Sequence, residues 1–559
     1  MSQQSVIDIQ QLSVAFNSEK VVNNISFAIH KNEIVGLVGE SGSGKSITSL
    51  AMTGLLPKNA QVSGTIQFNG SDLVRLKRKA FRRLRGNRIA MIFQEPMSSL
   101  NPSMKCGKQV AEMIGQHQQL SAKAIKKQVL ALFDQVKLPN PDAIYRSYPH
   151  QISGGQKQRV MVAMAIACKP DLLIADEPTT ALDVTVQQEI VDLLRSLQQE
   201  TGMALLFITH DLELVAGLAD RVAVMYQGEL VEINETRQLF DQPKTTYSKA
   251  LIASKPKKGK RLKKLPTIQD VMNGQIPDAV ISDEERKKAH QQLYQQKPLL
   301  SIKNLSKTFY KSLGYWKDSQ EIKAVDEVNL ALYPGETLGL VGESGCGKST
   351  LASLILQLES PTDGALFYKD KNISNLNRAA QKQIRKDIQL IFQDPFSSLN
   401  PRISIGKAIM EPIVYHGLAK NRAEARQKTF DLLEEVGLSA EMFDRYPHEF
   451  SGGQRQRIGI ARSIAVEPEL IICDESVAAL DISVQAQVLN LLNRLKAQYG
   501  FSYLFIAHDL KVVHYMADQL YVMHNGKMVE HGDADAVFYQ PQEDYTQQLI
   551  KAIPGGIRD

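Results

Sequence analysis

No run of about 18 consecutive apolar residues occurs in the 559-residue chain, so no transmembrane helix is expected. Cysteine is scarce and tryptophan occurs once. The four cysteines, Cys106, Cys168, Cys346 and Cys473, never approach a C-x-x-C spacing, which argues against a disulfide framework and against a thiolate metal site. A reducing compartment suits such a chain. The opening residues Met1 to Ser5 lack a basic segment followed by an apolar one, so no secretory leader is expected. Charge of one sign is also in short supply. A net +6 over so long a chain is thin, and it makes nucleic acid an unpromising partner. Hydrophobic residues make up 43%, ample for sizeable cores, and the length suits either three or four ordinary domains or two large ones.

The chain repeats itself. Gly39-Glu40-Ser41-Gly42-Ser43-Gly44-Lys45-Ser46 returns as Gly342-Glu343-Ser344-Gly345-Cys346-Gly347-Lys348-Ser349, with the lysines 303 residues apart. Ser153-Gly154-Gly155-Gln156 returns as Ser451-Gly452-Gly453-Gln454, Asp176-Glu177 as Asp474-Glu475 and His210 as His508, each 298 residues on. A near-constant offset over several motifs means duplication. The second repeat also carries an insertion between Tyr310 and Lys323. The expected domains are therefore 1–254 and 299–559, with a polar linker at 255–298. That linker opens on the basic run Lys255 to Lys264, which reads either as a solvated tether or as a contact for anionic lipid head groups. As a flexible coil it would span roughly 35–40 Å.

Each repeat has the strand, glycine loop and helix that a G-x-x-x-x-G-K-[ST] pattern requires. Glycines let backbone N–H groups face a phosphate, and the helix N-terminus adds a positive end. Lys45 and Lys348 supply point charges to phosphate, while Ser46 and Ser349 supply hydroxyls to Mg²⁺. Leu172 to Asp176 and Leu470 to Asp474 are apolar strands ending in acid, so Asp176 and Asp474 are expected at the metal's shell. Glu177 and Glu475 follow as candidate general bases. His210 and His508 end further apolar strands and complete the candidate catalytic set.

Ser153 to Arg159 and Ser451 to Arg457 resemble the signature motif of ABC ATPases, and this resemblance covers nearly the whole chain outside the linker. It implies an α/β fold: two P-loop NTPase domains in tandem, each a RecA-like core with a helical subdomain and N-terminal antiparallel strands. It implies that ATP contacts the two phosphate loops with Ile47 and Thr350 beyond them, the signature residues, and the Q-loop glutamines Gln94 and Gln393, which also reach Mg²⁺. Phe16 and Phe309 resemble the adenine-stacking aromatic, with Tyr310, Tyr315 and Trp316 near the second. Asp183 and Asp481 resemble D-loop aspartates. The family also implies that the two halves pair head to tail.

Phe93 to Pro102 and Phe392 to Pro401, with Tyr148-Pro149-His150 and Tyr446-Pro447-His448, are similar to the oligopeptide/dipeptide importer ATPases. So are the tails Gln242 to Ser254 and Gln540 to Pro554. Two halves in one chain resemble the microcin C-type peptide importers and the glutathione importers. Many relatives bind an iron–sulfur cluster through clustered cysteines; with its thiols dispersed, this chain is expected to hold none. The resemblance implies a peripheral subunit on the cytoplasmic face of a bacterial inner membrane, two permease partners and an extracytoplasmic binding protein. Met97 to Pro102 and Phe396 to Pro401 are expected to receive the permease. The expected activity is ATP hydrolysis that drives peptide import. Glutathione or nickel cargo stays open, as does, further off, a tandem ABC translation factor. One departure stands out: Ser476 occupies the place that Pro178 holds in the first half.

Overall fold

The computed structural model describes residues 5–94, 99–179, 182–254, 261–311, 320–394, 398–478 and 480–553. The chain divides into two compact units. The first runs to Ala253 and takes in Val271–Gly274; the second holds Ser254–Asp270 and the chain from Gln275 on.

In the first unit, strands β1 (Ser5–Phe16), β2 (Glu19–His30), β3 (Ile34–Val38), β4 (Ala60–Phe68), β5 (Ser71–Asp72), β6 (Ile89–Ile92), β7 (Leu172–Asp176), β8 (Ala204–Ile208), β9 (Arg221–Tyr226) and β10 (Glu229–Glu235) form two sheets. The smaller is antiparallel, in the order β2-β1-β4-β5; the larger runs β10-β9-β3-β8-β7-β6. Neighbours in the larger sheet are parallel, except that β10 lies antiparallel at the edge. Every residue of β3, β7 and β8 is buried, the unbroken apolar run of a parallel strand covered on both faces. Between the two sheets lies a core that includes Ile7, Ile9, Ile25, Leu37 and Ile174. Each such side chain contributes about 1.5–3 kcal/mol by leaving water.

The second unit repeats this plan. Strands β11 (Leu300–Lys311), β12 (Gln320–Leu332), β13 (Thr337–Val341), β14 (Asp363–Tyr368) and β15 (Lys371–Asn372) are followed by β16 (Ile388–Ile391), β17 (Leu470–Asp474), β18 (Ser502–Ile506), β19 (Gln519–His524) and β20 (Lys527–Asp533). Its sheets are ordered β12-β11-β14-β15 and β16-β17-β18-β13-β19-β20. In both units helices fill the interval between the sixth and seventh strands, ending in Gly154–Ile166 and Gly452–Ile464. No helix among the described residues is long and apolar enough to cross a membrane.

The polar linker departs from a free coil. Residues 255–260 of its basic run lie outside the described residues, but much of the linker after them is held on the second unit. Leu265 is 1% exposed and joins that unit's core. Its backbone N–H donates to Asn490 at 2.8 Å, and Asn490 donates back to its carbonyl at 2.9 Å. Arg261 donates to the carbonyls of His514 and Ala517 at 2.6 and 2.8 Å. The helix Asp283–Leu293 opens with a capping box between Ser282 and Glu285. From it Arg286 pairs with Asp533 at 2.9 Å and with Asp535. His290 stands 3.4 Å from both Asp518 and Asp533. Among the described residues, Arg261, Lys263, Lys264, Arg286 and His290, whose charges read as solvation, are used in ion pairs.

Candidate active sites

Parallel strands deliver all their carboxyl ends to one edge, where open α/β sheets bind ligands. The register Leu37↔Ile208, Asp176↔Ile208 and Ile92↔Ala175 brings the residues after β3, β6, β7 and β8 to one level. Those residues are Gly39, Gln94, Glu177 and His210, and the second unit gathers Gly342, Gln393, Glu475 and His508 in the same way.

The phosphate loops begin at glycines that no other residue could replace. Gly39 and Gly342 both have φ 154°, and a Cβ on either would lie 2.2 Å from a carbonyl oxygen, of Met225 or Met523. Lys45 is buried at the start of its helix, its ammonium donating to the carbonyls of Gly39 and Glu40 at 2.8 Å each. Lys348 does the same to Gly342 and Glu343 at 2.7 and 2.8 Å. Ser41, Gly42, Ser344 and Gly345 are exposed, while Ser43, Gly44, Cys346 and Gly347 are buried and Ile47 and Thr350 half-buried. Cys346 replaces Ser43 at 3.7 Å from the Lys348 ammonium.

Ser46 lies 3.3 Å from the Asp176 carboxylate, and Ser349 lies 3.5 Å from Asp474. Burial pushes Asp176 up to about 6 against the opposing hydrogen bond from Ser46. Asp474 is raised for the same reason. Such a pair of hard oxygen donors fits Mg²⁺.

Glu177 and Glu475 sit in the left-handed region, at φ 45° and 47°. Each is tied to the neighbouring strand, Glu177 N–H donating to Ile208 at 2.9 Å and Glu475 N–H to Ile506 at 2.8 Å. Gln94 donates to Glu177 at 2.8 Å, and His210 Nδ1 is 3.2 Å from the same carboxylate. Gln393 and His508 flank Glu475 at 2.6 and 3.5 Å. Burial by itself would raise Glu475, but the His508 contact outweighs it and holds the carboxyl below its ordinary value. His508 is raised in return, its burial outweighed by Glu475. A carboxylate so oriented and kept ionised can accept a proton from water.

The signatures open their helices as capping boxes. Ser153 accepts from the Gln156 N–H at 3.3 Å and Gln156 accepts from the Ser153 N–H at 3.1 Å; Ser451 and Gln454 match them at 3.3 and 3.0 Å. Each side chain thus takes up the other residue's backbone N–H, which leaves the first-turn amides of Gly154, Gly155, Gly452 and Gly453 to meet a phosphate. Asp183 caps the helix Val184–Thr201, accepting from Val186 N–H at 2.9 Å.

The aromatics are less settled in their sites. Phe16 is half-buried against the core between the sheets, and Phe309 is 40% exposed with the Lys307 ammonium over its ring. Tyr315 and Trp316 lie outside the described residues. The expected permease-docking runs need correction in part. Leu100 and Leu399 are each 2% exposed, so they are core side chains and cannot line an open groove. Residues 97–98 and 396–397 lie outside the described residues. A tyrosine at each phosphate loop, Tyr247 and Tyr545, carries no motif that marks it as functional. A signal is nevertheless present, since Gln242-Pro243 to Tyr247 and Gln540-Pro541 to Tyr545 recur 298 residues apart.

Two glycine loops with lysine, strand-end acids and a flanked glutamate define a tandem P-loop nucleoside triphosphatase. Residues 22–180 and 325–478 match the ABC transporter family, and residues 231–276 match the C-terminal region of oligopeptide/dipeptide transporters. The chain belongs to the ABC transporter family. Over 99% of its length it is 43% identical to the glutathione import ATP-binding protein GsiA of Pectobacterium atrosepticum, covering 90% of that protein. It is 44% identical over 98% of its length to the protein of the same name from Escherichia coli O6:H1, covering 89% of it. A solved dimeric ATP-binding cassette in a post-hydrolysis state, bound to ADP and Pi, is 27% identical over 42% of this chain and 98% of that one, with a TM-score of 0.38. The chain is an ABC-type ATPase, the ATP-hydrolysing subunit of an importer.

Proposed function

We propose that this subunit drives import of short peptides, the tripeptide glutathione among them, from the cytoplasmic face of a bacterial inner membrane. It would work with two permease subunits, fed by an extracytoplasmic binding protein. The observation that carries this reading is the oligopeptide/dipeptide C-terminal region joined to relatives named for glutathione import.

At each site the loop amides and Lys45 or Lys348 hold the phosphates. Glu177 and Glu475 take the proton of the attacking water, a role worth about 10²–10⁴-fold. His210 and His508 fix the carboxylates, and Gln94 and Gln393 link them to the loops that follow β6 and β16. Ser46 with Asp176, and Ser349 with Asp474, are the groups that would hold Mg²⁺, with Gln94 and Gln393 nearby. Bound with ATP, the ion would neutralise charge on the phosphates.

The test is reconstitution with its permease subunits, followed by ATP-dependent uptake of labelled glutathione, dipeptides and longer peptides. Uptake of glutathione or another short peptide is expected. Uptake of nickel but of no peptide would overturn the cargo assignment.

A further inference from the structure

The C-terminal helix of each unit reaches back to its own phosphate loop through one tyrosine. In the first unit the Glu40 backbone N–H donates to the Tyr247 hydroxyl at 3.3 Å; in the second the Glu343 N–H donates to Tyr545 at 3.1 Å. Each phenol ring is stacked. Tyr247 packs on Tyr226, at the end of β9, with centroids 4.2 Å apart. Tyr545 packs on His524, at the end of β19, at 3.9 Å. The stacking partner thus differs between the repeats, while the hydroxyl-to-loop bond is kept.

The tyrosines are themselves held. Each follows a turn pinned by a glutamate of the edge strand. Glu232, on β10, accepts from the N–H groups of Lys244 and Thr245 at 3.0 and 3.1 Å. Glu530, on β20, accepts from those of Gln542 and Glu543 at 2.8 and 3.2 Å. The turns between the last two strands of each large sheet support the loops from beneath, Gly228 N–H donating to Ser43 at 3.2 Å and Gly526 N–H to Cys346 at 2.9 Å.

We propose that Tyr247 and Tyr545 are positioning residues for ATP binding, which hold the first turn of each phosphate loop and tie it to the C-terminal region of its own half. The inference rests on reading Gly39–Ser46 and Gly342–Ser349 as phosphate loops. The lysines explain why such a hold is needed. Lys45 and Lys348 now brace the loop through the carbonyls of its first two residues. Two of an ammonium's three N–H donors are used in that brace, so turning more than one of them toward the phosphates weakens it. The tyrosine bond goes to the N–H side of the same peptide and does not depend on the lysine. Through Glu232 and Glu530, a displaced C-terminal helix would release the tyrosine and lower nucleotide affinity.

Full-length Tyr247→Phe and Tyr545→Phe test the idea, because phenylalanine keeps the stacked ring and removes only the hydroxyl. Hydrogen–deuterium exchange on nucleotide-free protein reads the contact without requiring ATP. In Tyr247→Phe the segment 39–46 should exchange faster while 342–349 is unchanged, and Tyr545→Phe should reverse the pattern. One neutral hydrogen bond corresponds to about two- to tenfold in affinity. Fluorescent MANT-ATP with Mg²⁺ should bind the substituted site weaker by that factor, and KM for ATP should rise with kcat kept. Unchanged exchange, or faster exchange with unchanged MANT-ATP affinity, would overturn the proposal. So would a parallel fall of kcat and melting temperature with KM unmoved, the mark of a merely structural residue. Absence of MANT-ATP binding in the unsubstituted chain would instead refute the phosphate-loop assignment, and the exchange data would still report the contact.

Discussion

Gln94 donates a 2.8 Å hydrogen bond to Glu177, and the bond recurs at 2.6 Å between Gln393 and Glu475. An amide from one strand end and an imidazole from another thus grip each glutamate. The grip sets which oxygen lone pairs remain for water.

Glu177→Gln and Glu475→Gln should each keep ATP binding and slow hydrolysis at their own site by about 10²–10⁴-fold, since each removes a base and leaves the phosphate contacts. Single-turnover hydrolysis beside a binding titration checks both. Normal turnover in the two single variants would remove the glutamates from the chemistry.

The backbone at these glutamates makes a separate prediction. At φ near 45° any residue with a Cβ is strained by about 1 kcal/mol, a cost glycine avoids. Neither Glu177→Gly nor Glu177→Ala has a carboxylate, so their difference isolates the backbone. The glycine variant should be the more stable by about 1 kcal/mol, reduced somewhat by its freer unfolded chain. Thermal unfolding of the pair measures it, and the same ranking is expected at Glu475.

The linker helix should loosen with rising pH. Hydrogen bonds to Asp518 and then Asp533 raise His290 to about 9, against an ordinary value of 6.5. A raised cation stabilises fully below about 6.5, and its contribution fades as pH climbs through about 9. Burial would raise Asp518 and Asp533, but Lys496 and His290 outweigh it at the first, and His290 and Arg286 at the second, so both stay ionised far into acid. Proteolysis between Asp283 and Leu293 should therefore accelerate from pH 6 to pH 10, and His290→Ala should abolish most of that dependence.

Leu399→Ala should cost about 2–5 kcal/mol, the usual range for a leucine cut from a packed core. Leu399→Glu should cost more, because the charge has no partner there. ATPase activity and uptake should fall together with thermal stability. Loss of uptake alone would return the residue to the permease surface.

Purified anaerobically, the protein should carry no stoichiometric iron. Among the described residues no three potential ligands converge on a point, and the four cysteines are dispersed along the chain. Elemental analysis decides.

What could be read beforehand was chemistry written twice. Lysine, acid, glutamate and histidine recur in register, and the fixed length of a parallel strand carries each to the same edge. What escaped was side-chain environment. Leu100 and Leu399 sit among turn formers and polar residues, so nothing local marks them as core. Arg261, Arg286 and His290 belong to a hydrophilic stretch whose acidic partners, Asp518, Asp533 and Asp535, lie more than 200 residues downstream. Tyr247 and Tyr545 act through a hydroxyl on a backbone amide, a contact that no motif spacing encodes.

The docked linker also makes the two repeats non-interchangeable. His514, Asp533 and Asp535, which receive it, correspond 298 residues earlier to Ala216, Glu235 and Arg237. A chimera with the first half copied into the second position would set Arg237 where Asp535 now meets Arg261 and Arg286. The strap would find a like charge in place of its anchor. After duplication, each half acquired an address, and the order of the halves along the chain became a heritable part of the machine.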